Sequence, residues 1–311
     1  MIASLSLPLS AFELQDAVRC ARRYDPARLD RVLRLEPERD QLEVQASASW
    51  ASVASRIAPP ADAAALAACP LTVAQSVAVN VVGPDGAPIV AHVESLTLVM
   101  PEGELRRVSR QSAPKLFALA VGGQGLFGVP YSVTLRVESL LRAARTLQPG
   151  AAFELPCDGV TTRALDLLIP PEHAETFLAE ARSRCAAWRV GLHGVAARRT
   201  LAEDETFLCW ARRDYAALTL ALQELPTLGG SVRTTQLRRE LIAAAIACGG
   251  SFAIDRTPEA TREQVEACYP QLKALLAEKR RIDPEGKIST PWYHHHRSLL
   301  GREACAVRWN R

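Results

Sequence analysis

Two stretches of this chain have the residue types of a site. Gly122 to Val129, GGQGLFGV, places four glycines in eight residues just before the apolar run SVTLRV. Glycine at that density lets the backbone make turns that a side chain blocks, or lie against a nucleotide or a neighbouring strand. His294–His296 is the second stretch, and three adjacent imidazoles invite a metal reading. Three consecutive residues of a regular element cannot all face one ion, however, and no Asp, Glu or Cys is spaced around them as a second set. The run is expected at the surface, near the end of the sequence. The eight cysteines are scattered with no CxxC pair. Most sit among apolar neighbours and read as small reduced hydrophobes, not zinc ligands. His92, His173 and His193 stand alone and read as structural. SRCA at 183–186 and the arginines of AARRT (196–200) read as solvated faces.

Composition narrows the function classes. The 311 residues are 48% hydrophobic and 23% charged, which is ordinary for a globular protein with a sizeable core, in one large domain or two. Lys plus Arg number 37 against 34 acidic residues, a net charge of +3, so there is no electrostatic case for nucleic acid as a partner. No apolar run reaches the ~20 residues that span a bilayer. The opening MIASLSLPLSAFELQDAV lacks the basic start and long apolar middle of a signal peptide, so a cytoplasmic location is the expectation.

The elements that must position these residues follow from apolar spacing. Residues 13–23 have helical spacing, 32–35 and 42–47 read as strands, and SWASVASRIA (49–58) as a helix stopped by Pro59–Pro60. ESLTLVM, the turn PEG and ELRRVS form a β-hairpin over 94–109, and PKLFALAV (114–121) begins as a helix. After residue 140 the pattern changes. ALDLLI (164–169) reads as a strand and PPEHAETFLAEARSRCAAW as a helix. RVGLHGVAA, TFLCWAR and AALTLAL are strand-like, and 231–248 is helical. Residues 259–281 are helical again, with a break at Pro270. The fold class is α+β in two parts, with the boundary in the Ala/Gly/Pro segment around 143–160.

A GxGxxG nucleotide fingerprint requires a strand before the glycines and a helix after them. Here a helix precedes and a strand follows, so the Rossmann reading is set aside. The order fits another pattern. HVESLTLVMPEGELRRVSRQSAPKLFALAVGGQGLFGVPYSVTLRVE, residues 92–138, resembles the PCMH-type FAD-binding domain of the vanillyl-alcohol-oxidase flavoenzymes, near the aldonolactone oxidase and decaprenylphosphoryl-ribose oxidase branch. SVAVNVVGPDG (76–86) and ACGGSFAIDRTPEATREQVEACYPQLKALLAEKRRIDPEG also resemble segments of that family. The resemblance implies a truncated FAD-binding domain over 1–140. It implies a cap or substrate domain of antiparallel sheet and helices over 141–311, with C-terminal helices returning to the flavin domain. It implies non-covalent FAD, with Gly122, Gly123, Gly125, Gly128 and the backbone of Val129 against the adenine end, and Ser76, Asn80, Gly83 and Lys279 as further flavin contacts.

The departures from the family are as informative. The family's glycine-rich loop, whose successive N–H groups form a nest for the FAD phosphates, has no counterpart. Only YDPARLDR separates the first helix from the strand at Val32, and Arg22 or Arg23 would replace that cradle only in part. The family's Gly-Gly before this segment is Ala74–Gln75, and its His is Val82. Where the family places Tyr-x-x-Lys or Tyr-x-x-Tyr, this chain has Phe252-Ala-Ile-Asp255. Phe252 cannot exchange a proton. Asp255 is the candidate catalytic base for an alcohol substrate, or else a solvated turn acid beside Arg256. Lys279 matches a stretch that reaches the flavin, or is a solvated helix residue.

The resemblance therefore implies one of two functions. The first is an FAD-dependent oxidoreductase that takes hydride from a secondary alcohol or sugar-like CH–OH. The second is a degenerate, FAD-deficient relative or accessory subunit. The expected partners are a small-molecule substrate and an intact flavoenzyme or a second copy of the chain.

Overall fold

The computed structural model describes residues 5–145 and 161–301, the side chains of residues 60–63 excepted. The first half runs α1 (Ala11–Arg19), β1 (Val32–Glu36), β2 (Gln41–Gln45), α2 (Trp50–Ile57), α3 (Pro60–Ala67), α4 (Val73–Val79), β3 (Val93–Val99), β4 (Leu105–Ser109), α5 (Pro114–Ala120), β5 (Val129–Arg136) and α6 (Val137–Arg145). The second runs β6 (Thr161–Ile169), α7 (Ala174–Trp188), β7 (Leu192–Thr200), β8 (Tyr215–Glu224), α8 (Leu228–Ala247), β9 (Ser251–Phe252), α9 (Arg262–Cys268), α10 (Leu272–Ile282) and α11 (Pro291–Gly301). The chain is mixed α and β, with two antiparallel sheets.

The first sheet has the order β1-β2-β5-β3-β4. Its register aligns Leu42 with Leu135 and Val44 with Val133, and Leu96 with Val133 from the other side. All five are buried, so the period of two aims one face at the core. α2 starts at Ser49, whose hydroxyl accepts from the Ser52 amide, and buries Trp50, Val53 and Ala54. α4 carries a full capping box, Thr72 with Gln75.

The second sheet has the order β7-β8-β6-β9, with Leu165 opposite Leu220 and Leu167 opposite Leu218. α8 covers it with Leu237, Leu241, Ile242 and Ala245, and α7 contributes Phe177, Ala181 and Cys185. One hydrophobic cluster runs through both sheets. The C-terminal elements return to the first half: Lys115 on α5 pairs with Glu278 on α10 at 2.6 Å, and Ile288 packs with Leu14, Val18 and Val99. No helix among the described residues is long and apolar enough to cross a membrane.

Most expected elements form within a few residues of their anticipated limits, and the break at Pro270 separates α9 from α10. Residue 140 falls inside α6, whose Leu140, Ala143 and Ala144 are all buried. The anticipated boundary segment falls mostly on residues 146–160, outside the described residues.

Three expectations are corrected. TFLCWAR (206–212) is a loop, not a strand, because the Glu203 carboxylate collects the Glu205 and Thr206 amides and the Thr206 hydroxyl, which pulls the backbone out of a ladder. His296 is not a surface residue: it is 1% exposed, with Nδ1 2.9 Å from the Trp292 carbonyl. Cys185 lies in the core, not on a solvated face. His92 is structural as expected, buried with Nδ1 2.7 Å from Ser139 Oγ. No group of His, Cys, Asp or Glu among the described residues could hold a metal ion.

Candidate functional site

A cleft opens where the two sheets meet, and short segments from both halves line it. From the first half come Val79–Val82, just past the end of α4, and Gly122 and Gln124 of the glycine run. From the second come Asp166 to Leu168 on β6, Arg198 on β7, Ala217 to Thr219 on β8, Leu208 and Trp210 of the 201–214 loop, and Ala253–Arg256 after β9. The cavity in the cleft measures about 80 Å³. It shares Val81, Val82, Arg198 and Arg256 with a chamber of about 470 Å³, which Trp50, Leu66, Leu71, Ile89 and Leu140 line.

The local sequence holds the cleft walls rigidly. Asn80 ends α4 in the left-handed region at φ 51°, a conformation asparagine tolerates better than most residues. Its Oδ1 accepts from the Val90 amide at 3.0 Å, and its Nδ2 donates to Glu203 Oε1 at 3.2 Å. On the far wall, the Phe252 carbonyl accepts the Tyr269 hydroxyl. Thr257 Oγ1 donates to the Ala253 carbonyl at 2.8 Å, and Trp292 Nε1 to the Ile254 carbonyl at 3.2 Å. Asp255 is therefore presented on a turn fixed at three points.

The charges in the cleft are unevenly matched. Asp166 accepts from Thr219 Oγ1 at 2.5 Å and pairs with Arg256 Nη1 at 3.1 Å. Asp255 lies 3.6 Å from Arg256 Nε. Burial pushes the Asp255 carboxyl above its ordinary range, against the pull of Arg256. The Arg198 side chain makes no hydrogen bond or ion pair with the described residues. Its surface opens to the cleft, while the surrounding atoms desolvate it enough to lower its pKa against the pull of Asp166. Trp210 Nε1 is buried with no hydrogen-bond partner among the described residues.

The residues anticipated from sequence separate into two groups. Asn80, Gly122 and Asp255 meet at the cleft, and Gly83 lines the adjoining chamber. The others lie elsewhere. Ser76 Oγ is buried one turn back, accepting from Trp50 Nε1 at 2.8 Å. Val129 is the first residue of β5, opposite Val99. Lys279 is fully buried in α10, its Nζ 2.5 Å from Asp283 Oδ2, so it is not a solvated helix residue. Arg198 was the residue that sequence reasoning missed. The signal was present, because β7 alternates and Arg198 and Arg199 must face opposite sides of it.

The glycine run is fitted to the protein itself. A Cβ on Gly123 would stand 1.8 Å from the Leu119 carbonyl oxygen, and one on Gly128 would stand 3.0 Å from Leu98 Cβ. The Gly122 amide donates to the Val77 carbonyl, the Gln124 amide to Ala78 and the Leu126 amide to Gly123. These three N–H groups, of Gly122, Gln124 and Leu126, are committed to contacts within the protein. Gly125, at φ +71°, has nothing within 4 Å of its Cβ position. Between α1 and β1 the chain makes one 3₁₀ turn at Pro26–Arg28 capped by Asp25, and Arg22 pairs with Asp16 at 2.9 Å. No protein-family model matches this sequence, and no curated protein matches it.

Proposed function

We propose that the chain binds a small molecule in the cleft between its two sheets, on a framework like that of the PCMH-type flavoenzymes, and holds FAD weakly or not at all. One observation carries the reading. Three amides of the glycine run, those of Gly122, Gln124 and Leu126, donate to Val77, Ala78 and Gly123, while the cleft beside them keeps unpaired polar groups on Arg198 and Trp210. A mostly apolar concavity with a few convergent polar groups is the usual form of a ligand site. An intact flavoenzyme or a second copy of the chain is the partner that belongs with this reading.

A second reading, an FAD-dependent oxidoreductase acting on CH–OH, is favoured by a different observation: Asn80, Gly122 and Asp255, far apart in sequence, face one cavity. In it Asp255, whose burial favours the protonated form, would exchange a proton with the substrate hydroxyl.

Thermal melts against a panel of small metabolites and FAD separate the two. The first reading expects stabilisation by a non-flavin ligand, lost in Trp210→Ala, and no shift with FAD. Stabilisation by FAD alone, with no shift from any smaller compound, would sink it.

A further inference from the structure

Arg198 stands in β7 opposite Ala217, on the wall common to the cleft and the larger chamber. Two other arginines lie close by, and both have partners. Arg256 is held by Asp166 and Asp255, and Arg199 pairs with Asp214 at 2.8 Å. Asp166 is already satisfied by Thr219 and Arg256. Of these three arginines Arg198 alone has no acid partner among the described residues, and an Arg fork matches a planar carboxylate with two parallel hydrogen bonds.

The space beyond it is apolar. Trp50, Leu66, Leu71, Ile89 and Leu140 line the chamber of about 470 Å³, within the size range of small-molecule sites. A second unpaired polar atom lies in the same wall. His92 is 2% exposed, and its Nε2 has no hydrogen-bond partner among the described residues. The nearest acid, Asp85 Oδ1, stands 3.5 Å from it, at the edge of hydrogen-bond range.

We infer that the cleft takes a monoanionic acid, with its carboxylate on Arg198 and its apolar body in the chamber beside Trp50 and Leu140. The charge count selects a carboxylate over a phosphate. Arg198 and Arg256 balance Asp166 and Asp255 in the cleft, and both acids lie against Arg256, so a dianion would meet two acids with Arg198 as the one guanidinium that has no acid partner. The inference rests on the reading of the cleft as a small-molecule site.

The test is calorimetric titration of the full chain with octanoate, octanol and octyl phosphate. Octanoate is expected to bind roughly 10- to 100-fold more tightly than octanol, the worth of one charge-assisted contact, and more tightly than octyl phosphate. Arg198→Met should remove that preference and leave octanol binding unchanged, and Arg198→Lys should keep part of it. Equal binding of octanoate and octanol, or tighter binding of octyl phosphate, overturns the carboxylate assignment and leaves the small-molecule reading standing. So does Arg198→Met binding octanoate like the wild type. Binding of none of the three overturns the inference together with the reading beneath it.

Discussion

Asn80 and Glu203 stand 123 residues apart in sequence and 3.2 Å apart in space. The bond joins the end of α4, on the first sheet's side of the cleft, to the loop between β7 and β8. Glu203 uses both carboxylate oxygens there, with Oε1 on Asn80 and Thr206 and Oε2 on the Glu205 and Thr206 amides. The cleft has its shape because this contact fixes one wall against the other.

Asn80→Ala removes both side-chain bonds and leaves a non-glycine residue at φ 51°. The cost expected is about 2–3 kcal/mol, from a buried Val90 amide left unpaired and the left-handed backbone. Urea unfolding followed by tryptophan fluorescence measures it. A loss under about 0.5 kcal/mol would show that the contact holds nothing.

Two neighbouring glycines should respond very differently. Gly123→Ala places a methyl 1.8 Å from the Leu119 oxygen, so the end of α5 must move, at about 3 kcal/mol or failure to fold. Gly125→Ala meets nothing and carries only the left-handed penalty of about 1–2 kcal/mol. Equal losses in the two variants would contradict the packing described for the run.

These glycines mark where the sequence was legible and where it was not. Their density and the helix-before, strand-after order were readable, and so was the α+β organisation, because apolar periodicity decides which face of each element is buried. What fills the missing Cβ of Gly123 was not readable. A glycine against a carbonyl and a glycine against a ligand have the same letter, and only the folded chain separates them. TFLCWAR failed for a related reason. Its alternation is that of a strand, but Glu203 three residues earlier takes over the backbone amides. Lys279 was misjudged because its partner Asp283 sits one helical turn on, a spacing that equally describes a surface pair.

That pair gives a third prediction. Lys279 Nζ and Asp283 Oδ2 are 2.5 Å apart and each side chain is 1% exposed. Asp283 also accepts from the Lys287 and Ile288 amides. Asp283→Ala leaves a buried ammonium unpaired and should cost about 3–5 kcal/mol. Lys279→Met with Asp283→Asn removes both charges and keeps an acceptor for one of the two amides, and should cost clearly less than Asp283→Ala, about 1–3 kcal/mol. The double variant unfolding as readily as Asp283→Ala would refute the pairing.

His296 sets a pH dependence. Burial lowers its pKa to about 4, against the pull of the Trp292 carbonyl, from an ordinary 6.5. The carbonyl can only accept, so Nδ1 carries the proton of the neutral ring, which packs on Trp292 with centroids 4.1 Å apart. Between those two pH values the unfolded chain binds the extra proton and the folded chain does not. The contribution is therefore complete above about pH 6.5 and is lost as pH falls toward about 4, on the order of 3 kcal/mol at 1.36 kcal/mol per pKa unit. Chemical denaturation at pH 7.5 and 5 should show about 2 kcal/mol of this loss, and His296→Phe should reduce it. An identical pH slope in that variant would place the effect on other groups.

The central proposal is that the glycine run closes turns within the protein and does not hold FAD. The visible absorption spectrum of the purified chain, incubated with excess FAD and desalted, tests it most directly. The account predicts a spectrum without flavin bands and a melting temperature that FAD leaves unchanged. Flavin bands retained near one equivalent per chain, with a raised melting temperature, would contradict it and restore the oxidoreductase reading of Asp255.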